Sequence, residues 1–223
     1  MRAVLIILLT MFHAETYALS ETGVRLSAAL TFAKQSAVDN AQNNSSVSTE
    51  NSISYLAELY YDSYNTRYLF SYKQYDMDLD VEPGVSAELN PYTSRQYYFT
   101  YRKSYPFFFF GASIVMEQDH MTLFNNNNIR DYDYEQMGLG VHLGINAWMG
   151  ANSGIRLQLN YANFISAGEI DNAEIQQADK YGLRIELFNY SRFLFVELQQ
   201  KENQFETWEH SQTLMESGIG FEF

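Results

Sequence analysis

From Gly23 onward the chain alternates between apolar and polar residues with a period of two. Val24, Leu26, Ala28, Leu30 and Phe32 fall on one face, and Arg25, Ser27, Ala29 and Thr31 on the other. The same pattern returns at 53–61, 67–75, 95–103, 107–117, 136–146, 154–164, 180–189, 193–201 and 211–223, ten segments in all. Alternation over about 9–11 residues is a strand signal, and no segment of helical period competes with it. The expected fold class is all-β.

The gaps between segments sort by parity. After the first, third, fifth, seventh and ninth segments they are long and polar, at roughly 35–51, 76–93, 118–134, 165–179 and 202–210. After the even ones they are short, around Asp62–Thr66, Ser104–Pro106, Ala147–Ser153 and Tyr190–Arg192. A soluble sandwich has no reason to sort connections this way. A transmembrane barrel has short periplasmic turns and long extracellular loops. The pattern therefore predicts an antiparallel transmembrane up-and-down β-barrel of ten strands, with eight or twelve as alternatives.

The same segments assign faces. Ile155, Leu157, Leu159 and Tyr161 should meet lipid, with Arg156, Gln158, Asn160 and Ala162 inside. Leu183, Ile185 and Leu187 repeat the outer row, with Arg184 and Glu186 inside. Tyr55, Tyr61, Tyr68, Tyr97, Tyr101, Tyr161 and Tyr181 lie near the ends of apolar rows, where aromatic girdles form. The inward charges predict a lumen network of Arg25, Glu58, Arg102, His142, Arg156, Arg184, Glu186 and Glu197, with Lys73 and Glu222 on the same rows. His142 lies on a stripe with Gly138, Gly140 and Gly144. Aromatic side chains cover such gaps, so Phe107 or Phe109 is expected there, with Phe195 helping to fill the space. His142 itself is expected to hydrogen-bond beside Gln158.

Met1-Arg2, the apolar run Ala3–Phe12 and Thr16-Tyr17-Ala18 form a secretory signal pattern. Residues 1–18 are thus expected to be removed, leaving 19–223 as the barrel domain. The pair Arg2 and Glu15 leaves with them, so the formal charge stays at −13. The 27 acidic against 14 basic residues argue against a nucleic-acid partner. With no cysteine, the chain has no disulfide to lean on.

The run Met215-Glu216-Ser217-Gly218-Ile219-Gly220-Phe221-Glu222-Phe223 resembles the C-terminal signal of Gram-negative outer-membrane β-barrel proteins. In that class a terminal Phe follows alternating apolar residues. The resemblance implies that the barrel assembly machinery reads Ile219, Phe221 and Phe223. It also implies an outer-membrane location, with the lipid bilayer and lipopolysaccharide as partners.

Candidate chemistry is sparse. Asp76, Asp78 and Asp80 in one long gap, and Asp119-His120 in the next, are similar in residue type to the rim site of omptin proteases. In that family, however, one residue separates the acid from the histidine and the pair lies in a later loop, whereas Asp119 and His120 are adjacent. Glu209-His210-Ser211 is similar to the residues of lipid A deacylases, but those space His and Ser by one residue. The acidic groups Asp78, Asp80 and Glu82, Asp131, Asp133 and Glu135, and Glu169, Asp171 and Glu174 lack calcium-loop spacing. No cofactor is expected, and the metal question stays open. The expected function is a non-enzymatic barrel with acidic extracellular loops and a largely plugged lumen. The alternatives are a narrow cation-preferring pore or small-solute porin, an omptin-like rim protease, and a passenger-less autotransporter-type barrel.

Overall fold

The computed structural model describes residues 20–223 except 40–43, 50–51, 78, 81–91, 126–127, 168, 171–172 and 206–207. The expected leader, residues 1–18, lies outside them. Ten long strands follow one another: β1 (Ser20–Asp39), β2 (Ser52–Ser63), β3 (Thr66–Met77), β4 (Tyr92–Ser104) and β5 (Phe108–Asn125), then β6 (Asn128–Gly150), β7 (Ser153–Ala167), β8 (Ala173–Asn189), β9 (Arg192–Phe205) and β10 (Trp208–Glu222). Each pairs antiparallel with its neighbours in sequence. The ring closes where β1 pairs with β10 from Arg25↔Glu222 to Asp39↔Trp208. Closure satisfies the backbone without an open edge, which is what a sheet needs in order to cross hydrocarbon. Three short strands, Asn44–Thr49, Leu79–Asp80 and Glu169–Ile170, extend the long-loop end.

The faces follow the alternation. Leu30, Leu143 and Leu159 are 61%, 59% and 54% exposed on the outer face, whereas inward Glu186 and Glu216 are 2% and 1% exposed. A soluble protein does the reverse. This pattern belongs to a barrel whose outside meets lipid. The outer row turns polar at Lys34, Gln74, Arg95, Gln118, Glu135, Asn163 and Gln200, which marks the upper edge of the belt. Tyrosines pair along both edges: Tyr68 with Tyr101 (5.6 Å between ring centroids) at the short-turn edge, and Tyr72 with Tyr97 (5.2 Å) and Tyr161 with Tyr181 (5.3 Å) at the other.

Much of what reads as long loops is in fact strand. β5 and β6 stay paired out to Asn125↔Asn128, and β9 runs to Phe205. Above the belt the outer face turns polar as well, so the apolar-out alternation fades although the backbone ladder continues. At the other end, the turns are tight. Tyr64 and Tyr190 each adopt a left-handed φ (57° and 52°) as the first residue of a two-residue turn.

Candidate functional site

The site this fold offers is its lumen, and the lumen has two halves. In the short-turn half every inward cation is an arginine lying over an aromatic ring. Arg25 sits 3.8 Å from the Phe193 centroid, Arg67 4.1 Å from Tyr60, Arg184 4.0 Å from Phe195, Arg102 5.1 Å from Phe109 and Arg156 5.2 Å from Phe188. These rings lie where glycines leave room: a Cβ on Gly144 or Gly220 would strike Phe109 or Phe193.

Glu186 organises this half. It accepts from Arg25, from Arg156 at 2.8 Å and from Arg184 at 3.2 Å. Arg25 also meets Glu58 at 3.5 Å and Glu222 at 3.7 Å. Arg67 bridges Asp62 (2.6 Å) and Glu222 (3.2 Å). Arg184 reaches Glu197 at 3.2 Å, and Glu197 hands the chain of charges to Lys73 at 3.4 Å.

In the long-loop half the inward cations among the described residues are lysines. Lys73 donates to Glu216, which also accepts from Ser54 at 2.6 Å. Lys201 bridges Glu117 (2.8 Å) and Asp119, and Lys180 shares Glu117 while donating to Tyr98 at 2.8 Å. Above them Ala33, Tyr75, Met77, Tyr92, Tyr134, Phe205 and Leu214 form a buried apolar cluster across the opening. Continuing the parity from Lys73 to Tyr75 and Met77, or from Lys201 to Asn203 and Phe205, would have placed these side chains inside.

Six predicted network residues are thus joined by ion pairs: Arg25, Glu58, Arg156, Arg184, Glu186 and Glu197. Arg102 and His142 are buried but make no ion pair among the described residues. One expectation about His142 is corrected. Its Nε2 has no hydrogen-bond partner, because its cross-strand neighbours are Gly111 and Asn160, and Gln158 donates to Asn160 instead (2.7 Å). Of the two rings expected over the glycine stripe, Phe109 is the one that covers it, and Phe107 does not. Phe107 is 71% exposed at the turn, Phe109 fills the gap at Gly144, and Phe195 packs against Gly218.

The sequence neighbours considered for catalysis part company. Asp119 points inward to Lys201, whereas His120 points outward and its Nδ1 lies 2.6 Å from Asp133. His210 is buried inside beside Asn203 (3.3 Å), above the belt, while Glu209 is exposed on the outer face. Burial, helped by the charge of Lys201, lowers His210 to about 3, so it is neutral. The side chains of Asp78, Asp80, Glu82, Asp131, Glu169, Asp171 and Glu174 lie outside the described set. Ile219 and Phe221 face outward on β10, and Phe223 hydrogen-bonds Val24 through its backbone, where the ring closes (2.8 Å).

A cavity of about 140 Å³ lies in mid-lumen, lined among others by Arg102, Ser113, His142, Asn160, Lys180 and Arg184. A second, of about 220 Å³, opens at the short turns beside Asn65, Arg67, Arg102, Trp148 and Arg156.

No protein-family model matches the sequence, and no curated protein matches it. Solved structures do match in fold. The outer membrane protease OmpT from Escherichia coli superposes with a TM-score of 0.50 at 7% identity, over 95% of this chain and 99% of that one. Neisserial surface protein A matches with a TM-score of 0.43 at 12% identity, over 92% and 100% of the two chains. An outer membrane channel from Pseudomonas putida F1 gives 0.49 at 12%, over 94% and 98%. The chain has the closed ten-strand antiparallel fold of the outer-membrane β-barrels.

Proposed function

We propose that this protein is a non-enzymatic barrel of the Gram-negative outer membrane, exported through a leader at residues 1–18. Its lumen is closed, and its work is done by the strand hairpins above the membrane. The observation that supports this reading is the set of side-chain contacts spanning the interior. Ion pairs cross the lumen from Arg25 to Glu186 and from Lys73 to Glu216, residues far apart in sequence. The apolar cluster of Tyr75, Tyr92, Tyr134, Phe205 and neighbours then caps the passage. A cation-preferring pore is less well served, because the mid-lumen cavity is lined by Arg25, Lys73, Arg102, Lys180 and Arg184 against Glu58 and Glu197. Outside, Lys34 and Arg95 stand exposed at the upper edge of the belt, where lipopolysaccharide phosphates would lie. Planar-bilayer recording tests the reading: the refolded protein should give no steady current, and removing the cap with Tyr75→Ala and Tyr92→Ala together should produce one. A steady, large current from the unmodified protein overturns it.

A further inference from the structure

Among the described residues eight cations point into the lumen, and seven of them, Arg25, Arg67, Lys73, Arg156, Lys180, Arg184 and Lys201, meet a carboxylate within 4.0 Å. The eighth is Arg102. It is 8% exposed, its Nε has no hydrogen-bond partner, and no carboxylate of a described residue lies within ion-pair distance. Its cross-strand neighbour on β3 is another cation, Arg67. A buried charge left this way is strongly unfavourable unless something neutralises it, and the Phe109 ring beneath it offers only a weak partial counter-charge.

On the other side Arg102 is paired in register with Gly111, and Gly111 with His142. A Cβ on Gly111 would strike the His142 ring, so the glycine is what lets that ring lean across toward Arg102. His142 Nε2 is itself buried and unpartnered, and both side chains line the same 140 Å³ cavity. Two buried polar groups with no protein partner thus face one cavity, where a water or an ion would satisfy them.

We propose that Arg102 and His142 bind a small, singly charged anion, a halide or a short carboxylate. One negative charge balances the one unpaired cation. Arg102 supplies charge-assisted donors and His142, as its Nε2–H tautomer, a further one, with Ser113 and Asn160 on the same wall. The cavity has room for a few heavy atoms, not for a sugar acid or a nucleotide. Entry is from the short-turn side, because Arg102 also lines the open 220 Å³ vestibule with Arg67 and Arg156. The site would fill from there whether or not current crosses the barrel, so it stands apart from the closed-lumen reading.

The test uses the refolded full barrel in detergent. Its unfolding temperature is compared in sodium chloride, bromide or acetate and in gluconate, which is too bulky for the cavity, at equal ionic strength. A ligand that binds only the folded state raises that temperature. The wild type should be more stable in the small anions, the difference should vanish in Arg102→Met, and it should shrink in His142→Phe. Crystals of the wild type soaked in bromide should show an anomalous peak beside the Arg102 guanidinium, a readout that needs no variant to fold. Equal stability of the wild type in all the salts, an unchanged difference in Arg102→Met, or no bromide peak at Arg102 would overturn the proposal.

Discussion

The two halves of the lumen solve the same problem with different residues. Near the short turns, planar guanidiniums fork between several carboxylates and stack on aromatic rings, as Arg25 does with Glu58, Glu186, Glu222 and Phe193. Arginine suits that place because it combines a bidentate edge with a face that tolerates an apolar ring. Toward the long loops, lysines act as point charges among tyrosines, with Lys201 5.0 Å from the Tyr134 centroid and Lys180 5.5 Å from that of Tyr98. The first half is a lattice in which one carboxylate serves three cations. The second is a chain of pairs capped by an apolar layer.

If that contrast is right, removing a carboxylate should cost more in the arginine half. Glu186→Gln strips Arg156 of its carboxylate and weakens the hold on Arg25 and Arg184. Leaving buried cations uncompensated should cost about 3–5 kcal/mol of unfolding free energy, measured by urea titration in detergent. Glu117→Gln should cost about 2 kcal/mol by the same measurement, because Lys201 keeps Asp119 and Lys180 keeps Gln96 and Tyr98. If Glu117→Gln proved the more damaging, the arginine half would not be the lattice described.

A pH difference also separates the halves, since His210 belongs to the long-loop end. Its ordinary value of 6.5 falls to about 3 in the fold, so the unfolded chain takes up the proton first. Stability held above pH 6.5 should therefore decline as pH falls from there toward 3, by about 1–2 kcal/mol at pH 5. His210→Gln should lose that part of the slope between pH 7 and 5. A variant with the parent's slope would place the titration elsewhere.

The smallest effect is expected at the turns below the arginine half. Tyr190→Gly relieves a left-handed φ of 52° that a tyrosine rarely adopts. The gain should be about 0.5–1 kcal/mol, because glycine's extra freedom in the unfolded chain offsets part of the relief. A loss of stability would mean that the Tyr190 ring, 76% exposed at the rim, matters more as a girdle anchor than as a strained turn residue.

Periodicity alone determined much of this protein. A one-residue slip turns a strand over, so Leu183, Ile185 and Leu187 outside and Arg184 and Glu186 inside were legible from their order in the chain. The parity of the gaps determined that there are ten strands and that they run up and down. Only the closed ring decided which charges meet. Arg25 and Glu186 are 161 residues apart, and nothing local to either says that they share a lumen. The ring also decided that Arg102 has no carboxylate partner among the described residues, and that Tyr75, Tyr92 and Phe205 meet in one cluster. The physical reason is that alternation records only the contrast between lipid and interior, residue by residue. Contact across the lumen depends on strand tilt and register summed around the whole circumference, and above the belt, where water replaces lipid, the contrast is reversed: the outer face is polar and the inner one holds the apolar cluster.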